Sequence, residues 1–261
     1  LTAHIDVLPT FVDLCKLDAP EIEYDGSSVK DLIYGDGNDW PDNAERFTFF
    51  SLIAAQISTG EIDLQWRPDV VHLHDWQTGL VAAFLHSLPQ RPRLIFTIHN
   101  LSYLGLFSYA EYENLQLPMA WWHPEGVEFY GGFSMLKAGL VYADAINTVS
   151  PTYAKEILTP EFAYGMEGVL NHYKYKLTGI LNGIDTDVWN PQTDPLLDNS
   201  YTRKTIAQKS QNKRALQSRF KLDPNSESLL FCVISRLTEQ KGLDLLLQCL
   251  PKLTERGAQL A

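Results

Sequence analysis

The chain has 261 residues, 45% of them hydrophobic, enough to fill the core of one large domain or two modest ones. A net charge of −11 excludes the broad basic stripe that a nucleic-acid groove or an anionic membrane surface requires, so neither is an expected partner. Three cysteines without a CxxC pair (Cys15, Cys232, Cys249) exclude a disulfide framework and a zinc knuckle. With no apolar run of membrane-spanning length and no signal-peptide order at the N-terminus, the chain reads as soluble and cytoplasmic.

The first helix signal begins at Asp42 in "DNAERFTFFSLIAAQI". An N-cap acid there precedes Glu45 by three, and Phe47, Phe50, Ala54 and Ile57 recur at helical spacing. "WRPDVVHLHD" reads as a short buried strand after Pro68, "WQTGLVAAFLHSL" as a helix and "RLIFTIHN" as a second strand. "GGFSML" has paired glycines without the spacing of a dinucleotide fingerprint, and reads as a turn before a helix. "AINTVS" is the next strand; Ser150 and Pro151 then form a helix start, as N-cap and first helical residue, and "KLTGILNG" repeats the strand-then-turn pattern. Apolar strands alternating with helices predict an α/β domain whose parallel sheet is covered on both faces.

From Asn190 to Asn225 turn residues and charge dominate, which predicts a linker with one polar helix. "SLLFCVIS" then reads as a buried-type strand, and "KGLDLLLQCLPKL" as a helix despite Pro251, the first unit of a second α/β domain.

Ligands of open parallel sheets bind beyond the carboxyl ends of the strands. Three such ends are polar here: His72, His74 and Asp75; His99 and Asn100; Asn182 and Asp185. Their donors and acceptors suit hydroxyl recognition. His72 and His74 share a strand face, as metal ligands would, but a zinc site wants a third ligand with a fixed second shell, and the alternative is a packed, hydrogen-bonded His72. Asp75 can cap the helix that follows, bind a ligand, or both. In "SRLTEQKG", Arg236 and Lys241 flank a strand-to-helix loop that either holds a diphosphate or is simply solvated. Tyr34, Trp40, Tyr103, Trp121 and Trp122 can stack on sugar faces or serve packing.

Six segments in order, "RPDVVHLHDWQTGL", "FTIHNLSYLGLF", "SMLKAGLVYADAINTVSPTYAKEI", "YGMEGVL", "ILNGIDTDVWNP" and "VISRLTEQKGLDLL", resemble the ADP-glucose-dependent glycogen synthases of bacteria and the starch synthases of plants, the bacterial type more closely. The resemblance runs from about Tyr34 to the last residue. It implies a GT-B glycosyltransferase with two Rossmann-like domains: a glucan-binding domain over residues 1–190, a linker and polar helix over 191–225, and the start of a nucleotide-sugar domain over 226–261. The implied reaction is retaining transfer of glucose from ADP-glucose to the non-reducing 4-hydroxyl of an α-1,4-glucan (glycogen or maltooligosaccharides), without a metal or other cofactor. By motif, His99 contacts the donor glucose, Asp75 and Asn100 bind glucose or acceptor hydroxyls, Asn182 sits near the sugar, Arg236 and Lys241 neutralise the leaving diphosphate, and Tyr34 belongs to the acceptor side. The family's Lys-x-Gly-Gly-Leu loop and its C-terminal acidic loop have no counterpart, which implies an internal portion of a longer synthase. A non-catalytic glucan-binding remnant and another GT-B transferase are the alternatives.

Overall fold

The computed structural model describes residues 39–60, 66–224, 227–235 and 239–261. They fall into two compact units that divide between Asn182 and Gly183.

The first unit is built on a four-stranded parallel sheet in the order β1 (Val70–His74), β2 (Arg93–Ile98), β6 (Ala145–Thr148), β7 (Leu177–Gly179). Alternation along these strands divides the sheet into two unlike faces. Leu73, Leu94, Phe96, Ile98 and Ile146 point one way and are buried. The same core holds Leu80, Val81 and Leu85 of helix α2 (Gly79–His86) and Leu136 and Leu140 of helix α4 (Met135–Tyr142). Glycine lets these layers approach: a Cβ at Gly79 would strike the Met135 carbonyl, and one at Gly139 the Phe96 ring. Helix α1 (Asn43–Thr59) packs on α2.

Among the described residues the two faces differ: Val70, His72, Arg93, Ala145 and Thr178, all on the second face, are exposed, and Leu73 is the buried residue of β1. One expectation needs correction here. Helix α1 starts at the expected place, but Asp42 makes no side-chain cap. Of the predicted stripe only Ile57 is buried, Phe47, Phe50 and Ala54 being half-buried; with Ile57 the buried residues are the small, partly polar set Asn43, Ala44, Thr48, Ser51, Ala55 and Ser58, since close packing on α2 favours small side chains.

Between β2 and β6 the chain makes an antiparallel three-stranded sheet that its sequence does not announce. It has the order β3 (Leu106–Ser108), β5 (Gly132–Ser134), β4 (Glu128–Phe129), with the short helix α3 (Tyr109–Asn114) following β3. Ser134 ends β5 and caps α4, accepting the Lys137 N–H at 3.1 Å. Ser150 accepts the N–H groups of Thr152 and Tyr153 in the turn ahead of α5 (Tyr153–Glu156); the helix begins two residues later than the sequence predicts, with Thr152 rather than Ser150 at the N-cap position and Pro151 in the turn. Helix α6 (Glu167–His172) then leads to β7.

At the amino edge of the sheet, Asp144 ties β6 to β2. Its carboxylate accepts the Leu94 N–H at 2.8 Å and both arms of the Arg91 guanidinium at 2.7 and 2.9 Å.

In the second unit, a 3₁₀ segment (Arg203–Gln208) runs into the polar helix α7 (Lys209–Arg219), as the composition predicts. The expected buried strand is instead β8 (Leu230–Phe231), two residues long, paired in parallel with β9 (Gln259–Leu260) and exposed at Phe231. Helix α8 (Leu243–Glu255) carries Pro251 within it.

Candidate functional site

β1 and β2 run parallel and in register, His74 opposite Thr97, so the residues that follow them emerge side by side at the carboxyl edge. Asp75 is the first of these. Its backbone takes φ 54°, ψ −170°, a region that costs a residue with a Cβ about 1–3 kcal/mol and persists only where the surroundings hold it. They do so here through its own N–H, which donates to the Thr97 carbonyl at 3.0 Å, and its Oδ1, which accepts the His99 N–H at 2.7 Å. A carboxylate bonded to a backbone N–H is a strong, directional link. Asp75 stands at the N-cap position of a 3₁₀ turn (Trp76–Thr78) but makes no side-chain cap there; it bridges to the neighbouring strand end instead.

The segment after β2 is held equally firmly. Asn100 Oδ1 accepts the Ser102 N–H at 3.1 Å and its hydroxyl at 2.8 Å, closing a turn, while the Leu101 N–H donates to the Tyr153 hydroxyl at 3.0 Å. The loop then descends onto the buried Trp76 ring. Gly105, at φ 57°, is required there: a Cβ would sit 2.6 Å from that ring. Trp76 is in turn wedged edge-on against Phe47 with ring centroids 4.8 Å apart.

Three imidazoles line up along this edge. His72 and His74 stack with centroids 4.2 Å apart, and His74 Nδ1 meets His99 Nε2 at 3.0 Å. His72 Nε2 lies 2.6 Å from the Thr97 hydroxyl, which donates to Asn147 Oδ1 at 2.7 Å. Because that hydroxyl has one proton and gives it to Asn147, His72 must be the donor to Thr97, which fixes its Nε2–H tautomer. Burial, followed by the nearby His99, pushes the His72 pKa down and favours the neutral ring. His72 is therefore hydrogen-bonded, as the packed reading expects, although its residue surface is exposed. Among the described residues no group of three or more His, Cys, Asp or Glu is placed to hold a metal ion.

Of the sequence-predicted residues, the sheet brings Asp75, His99 and Asn100 together. Asn182 is exposed three residues beyond β7. It leaves the same edge, but β6 intervenes between β7 and β2, so two strand spacings, roughly 10 Å, separate their ends. Lys241 is exposed in the second unit, closing a 3₁₀ turn (Glu239–Lys241) before Gly242 and α8. Tyr34 and Arg236 lie outside the described residues. Sequence reasoning missed Thr97, Asn147 and Tyr153; the available signal was a polar residue inside each of the apolar strands β2 and β6. Trp121 and Trp122 are packing residues, Trp121 against Phe84 and Trp122 against Tyr109 and Tyr112.

A cavity of about 340 Å³ lies elsewhere in the unit, lined by Glu128, Tyr130, Lys137, Glu167 and their neighbours, and contains none of the predicted site residues. The buried Lys137 ammonium donates to the Pro124 and Glu128 carbonyls at 2.5 Å each, and burial lowers its pKa.

Residues 4–172 match the family model described as the starch synthase catalytic domain. The chain belongs to that family. It is 49% identical to a glycogen synthase of Roseobacter denitrificans, over 98% of this chain and 53% of that protein, and 48% identical to one of Cellvibrio japonicus, over 100% and 54%. The catalytic domain of starch synthase IV from Arabidopsis thaliana, solved with ADP and acarbose bound, superposes with a TM-score of 0.77 at 33% identity, over 87% of this chain and 47% of that one. The fold is thus the α/β GT-B type of this glycosyltransferase family, and the chain spans about half the length of the curated relatives it matches.

Proposed function

We propose that this chain is part of a glycogen synthase that transfers glucose from ADP-glucose, with retention, to the non-reducing 4-hydroxyl of an α-1,4-glucan. The observation that carries the reading is near-50% identity to glycogen synthases along practically the whole chain. In this proposal residues 1–190 serve the glucan, 191–225 link, and 226–261 begin the nucleotide-sugar domain. His99 contacts the donor glucose, Asp75 and Asn100 address sugar hydroxyls from the edge of the sheet, Asn182 lies near the sugar, and Tyr34 serves the acceptor.

Departure of ADP builds negative charge on a phosphate oxygen while the glucosyl carbon becomes oxocarbenium-like. Cations are therefore useful at the leaving group, and oriented polar or negative groups at the sugar. Arg236 and Lys241 suit the first task. The locked Asp75–His99 edge suits the second, since its groups are fixed before substrate arrives. We place the enzyme in the cytoplasm; among the described residues no helix is long and apolar enough to cross a membrane, and Cys232 and Cys249 are free thiols.

The test is ADP release from ADP-glucose with glycogen as acceptor, by the 261-residue chain and by a chimera that extends it at both ends with the parts of the Roseobacter denitrificans synthase that it does not span. The chimera should turn over, and His99→Ala should slow it at least about a hundredfold. Maltooligosaccharide binding with no ADP release by either protein would favour a glucan-binding remnant, and full turnover by His99→Ala would remove that residue from the site.

A further inference from the structure

We infer that His74 is the positioning residue for His99, holding its imidazole in one orientation with Nε2 engaged, so that Nδ1 is the ring nitrogen presented to substrate. The inference rests on the transferase reading for what His99 does, but on the structure alone for how His99 is held.

The strand end supplies the geometry. His99 is the first residue beyond β2, and its own N–H is already bound to Asp75, so its backbone cannot drift. An exposed imidazole on a fixed backbone still rotates about two side-chain bonds and exchanges tautomers. His74 Nδ1 at 3.0 Å from His99 Nε2 restrains the rotation and ties the tautomer of His99 to that of His74. A hydrogen bond between two imidazole nitrogens needs one N–H and one lone pair, so one ring donates and the other accepts, and the two tautomers are complementary. With Nε2 engaged, Nδ1 remains for a sugar hydroxyl.

His74 can hold its neighbour because it is itself held. Its backbone N–H donates to the Thr78 hydroxyl at 2.6 Å, and that hydroxyl donates back to the His74 carbonyl at 2.9 Å. Its ring stacks on His72, which is anchored to the Thr97–Asn147 pair across β1, β2 and β6. Thr97 is 3% exposed, so this anchor is shielded from competing water. A buried hydroxyl and a half-buried amide on two inner strands thus fix one exposed ring at the sheet edge through an intervening imidazole, the support that a precisely placed contacting group needs.

The variants follow from atom positions. His74→Asn puts an amide atom close to where Nδ1 was and keeps a bond to His99; His74→Leu fills the space without one. Long-range ¹H–¹⁵N correlations of the histidine rings in the 261-residue chain read the tautomers directly, with His99→Ala supplying the assignment. His99 Nε2 should carry the shift of a hydrogen-bonded ring nitrogen in the parent chain and in His74→Asn, and lose it in His74→Leu. His72 should stay Nε2–H in all three.

In the chimera, His74→Leu should lower kcat about 10- to 100-fold with the glycogen KM within about twofold, and His74→Asn should restore most of it. Unchanged His99 nitrogen shifts in His74→Leu would overturn the inference, as would parent-like kcat in that variant. No ADP release by the parent chimera, with the ring signals responding as expected, would sink the transferase reading and leave the positioning of His99 standing.

Discussion

The two units contain the same kinds of element, parallel strands and amphipathic helices, yet they are stabilised differently. Among the described residues, every buried apolar side chain lies between Ala44 and Leu170. Among the described residues of the second unit the one buried residue is polar, Gln217, whose amide donates to Gln259 Oε1 at 2.6 Å. Leu229, Ile234, Leu245 and Leu247 are exposed there, Ile234 at 94%. The difference lies in layering rather than composition. In the first unit a sheet face has α2 and α4 laid on it; in the second, two strands of two residues present too little surface to cover the apolar face of α8. The second unit is joined by polar and backbone bonds, such as Gln259 N–H to the Leu229 carbonyl at 2.8 Å.

The strongest way to break this comparison is to truncate one apolar side chain in each unit. Phe96→Ala should cost about 3–5 kcal/mol in denaturant unfolding, because it empties a fully buried site under Gly139. Leu247→Ala, at a position 65% exposed, should change stability by less than about 0.5 kcal/mol. Equal losses would show that α8 is buried in solution and that the contrast is wrong.

A smaller effect sharpens the account of the first unit. The Arg91 side chain, helped by the Leu94 N–H and opposed by burial, takes the Asp144 pKa from its ordinary 3.8 to about 2. A folded-state pKa below the unfolded one means that the ionised form stabilises the fold. That contribution is complete above about pH 5 and is lost as pH falls from about 4 toward 2. With both side chains partly exposed, 17% and 27%, solvent screening brings it to about 1–2 kcal/mol. Asp144→Asn should lower stability by that amount at pH 7 and by progressively less below pH 4; an equal loss at pH 2.5 and pH 7 would contradict the assignment. The smallest expected change is in the second unit. There Gln217→Ala should remove the link between α7 and β9 at a cost of about 1 kcal/mol, read as faster amide exchange at Gln259 and Leu260 with α2 and α4 unaffected.

The legible part of the fold is the part whose cause is local. Strand β2 stands where residue spacing puts it, helix α1 starts where the sequence places it although Asp42 makes no cap, and the helix after Ser150 begins two residues beyond Pro151. Strands β3, β4 and β5 have two or three residues each, too short for any period to register, and exist because β5 pairs with partners on both sides. The face a strand buries escaped for the same reason: the hydrophobicity of "VVHLH" is a property of the segment, whereas the exposure of Val70 and the burial of Leu73 depend on where α2 and α4 lie.

The site divides along the same line. Residue types at strand ends were enough to single out Asp75, His99 and Asn100, since a polar tip on an apolar strand is a one-dimensional signal. Their partners were not readable, because Asp75 bonds 24 positions away, His74 and His72 each 25, and Thr97 50. The amino-acid order by itself determined the α/β alternation and the polar carboxyl edges, through periodicity and capping that act between near neighbours. Only the tertiary structure decided that Asp75 would join two strands rather than cap a turn, and that His74 would face His99, because those contacts depend on parallel registration of segments that chain proximity does not bring together.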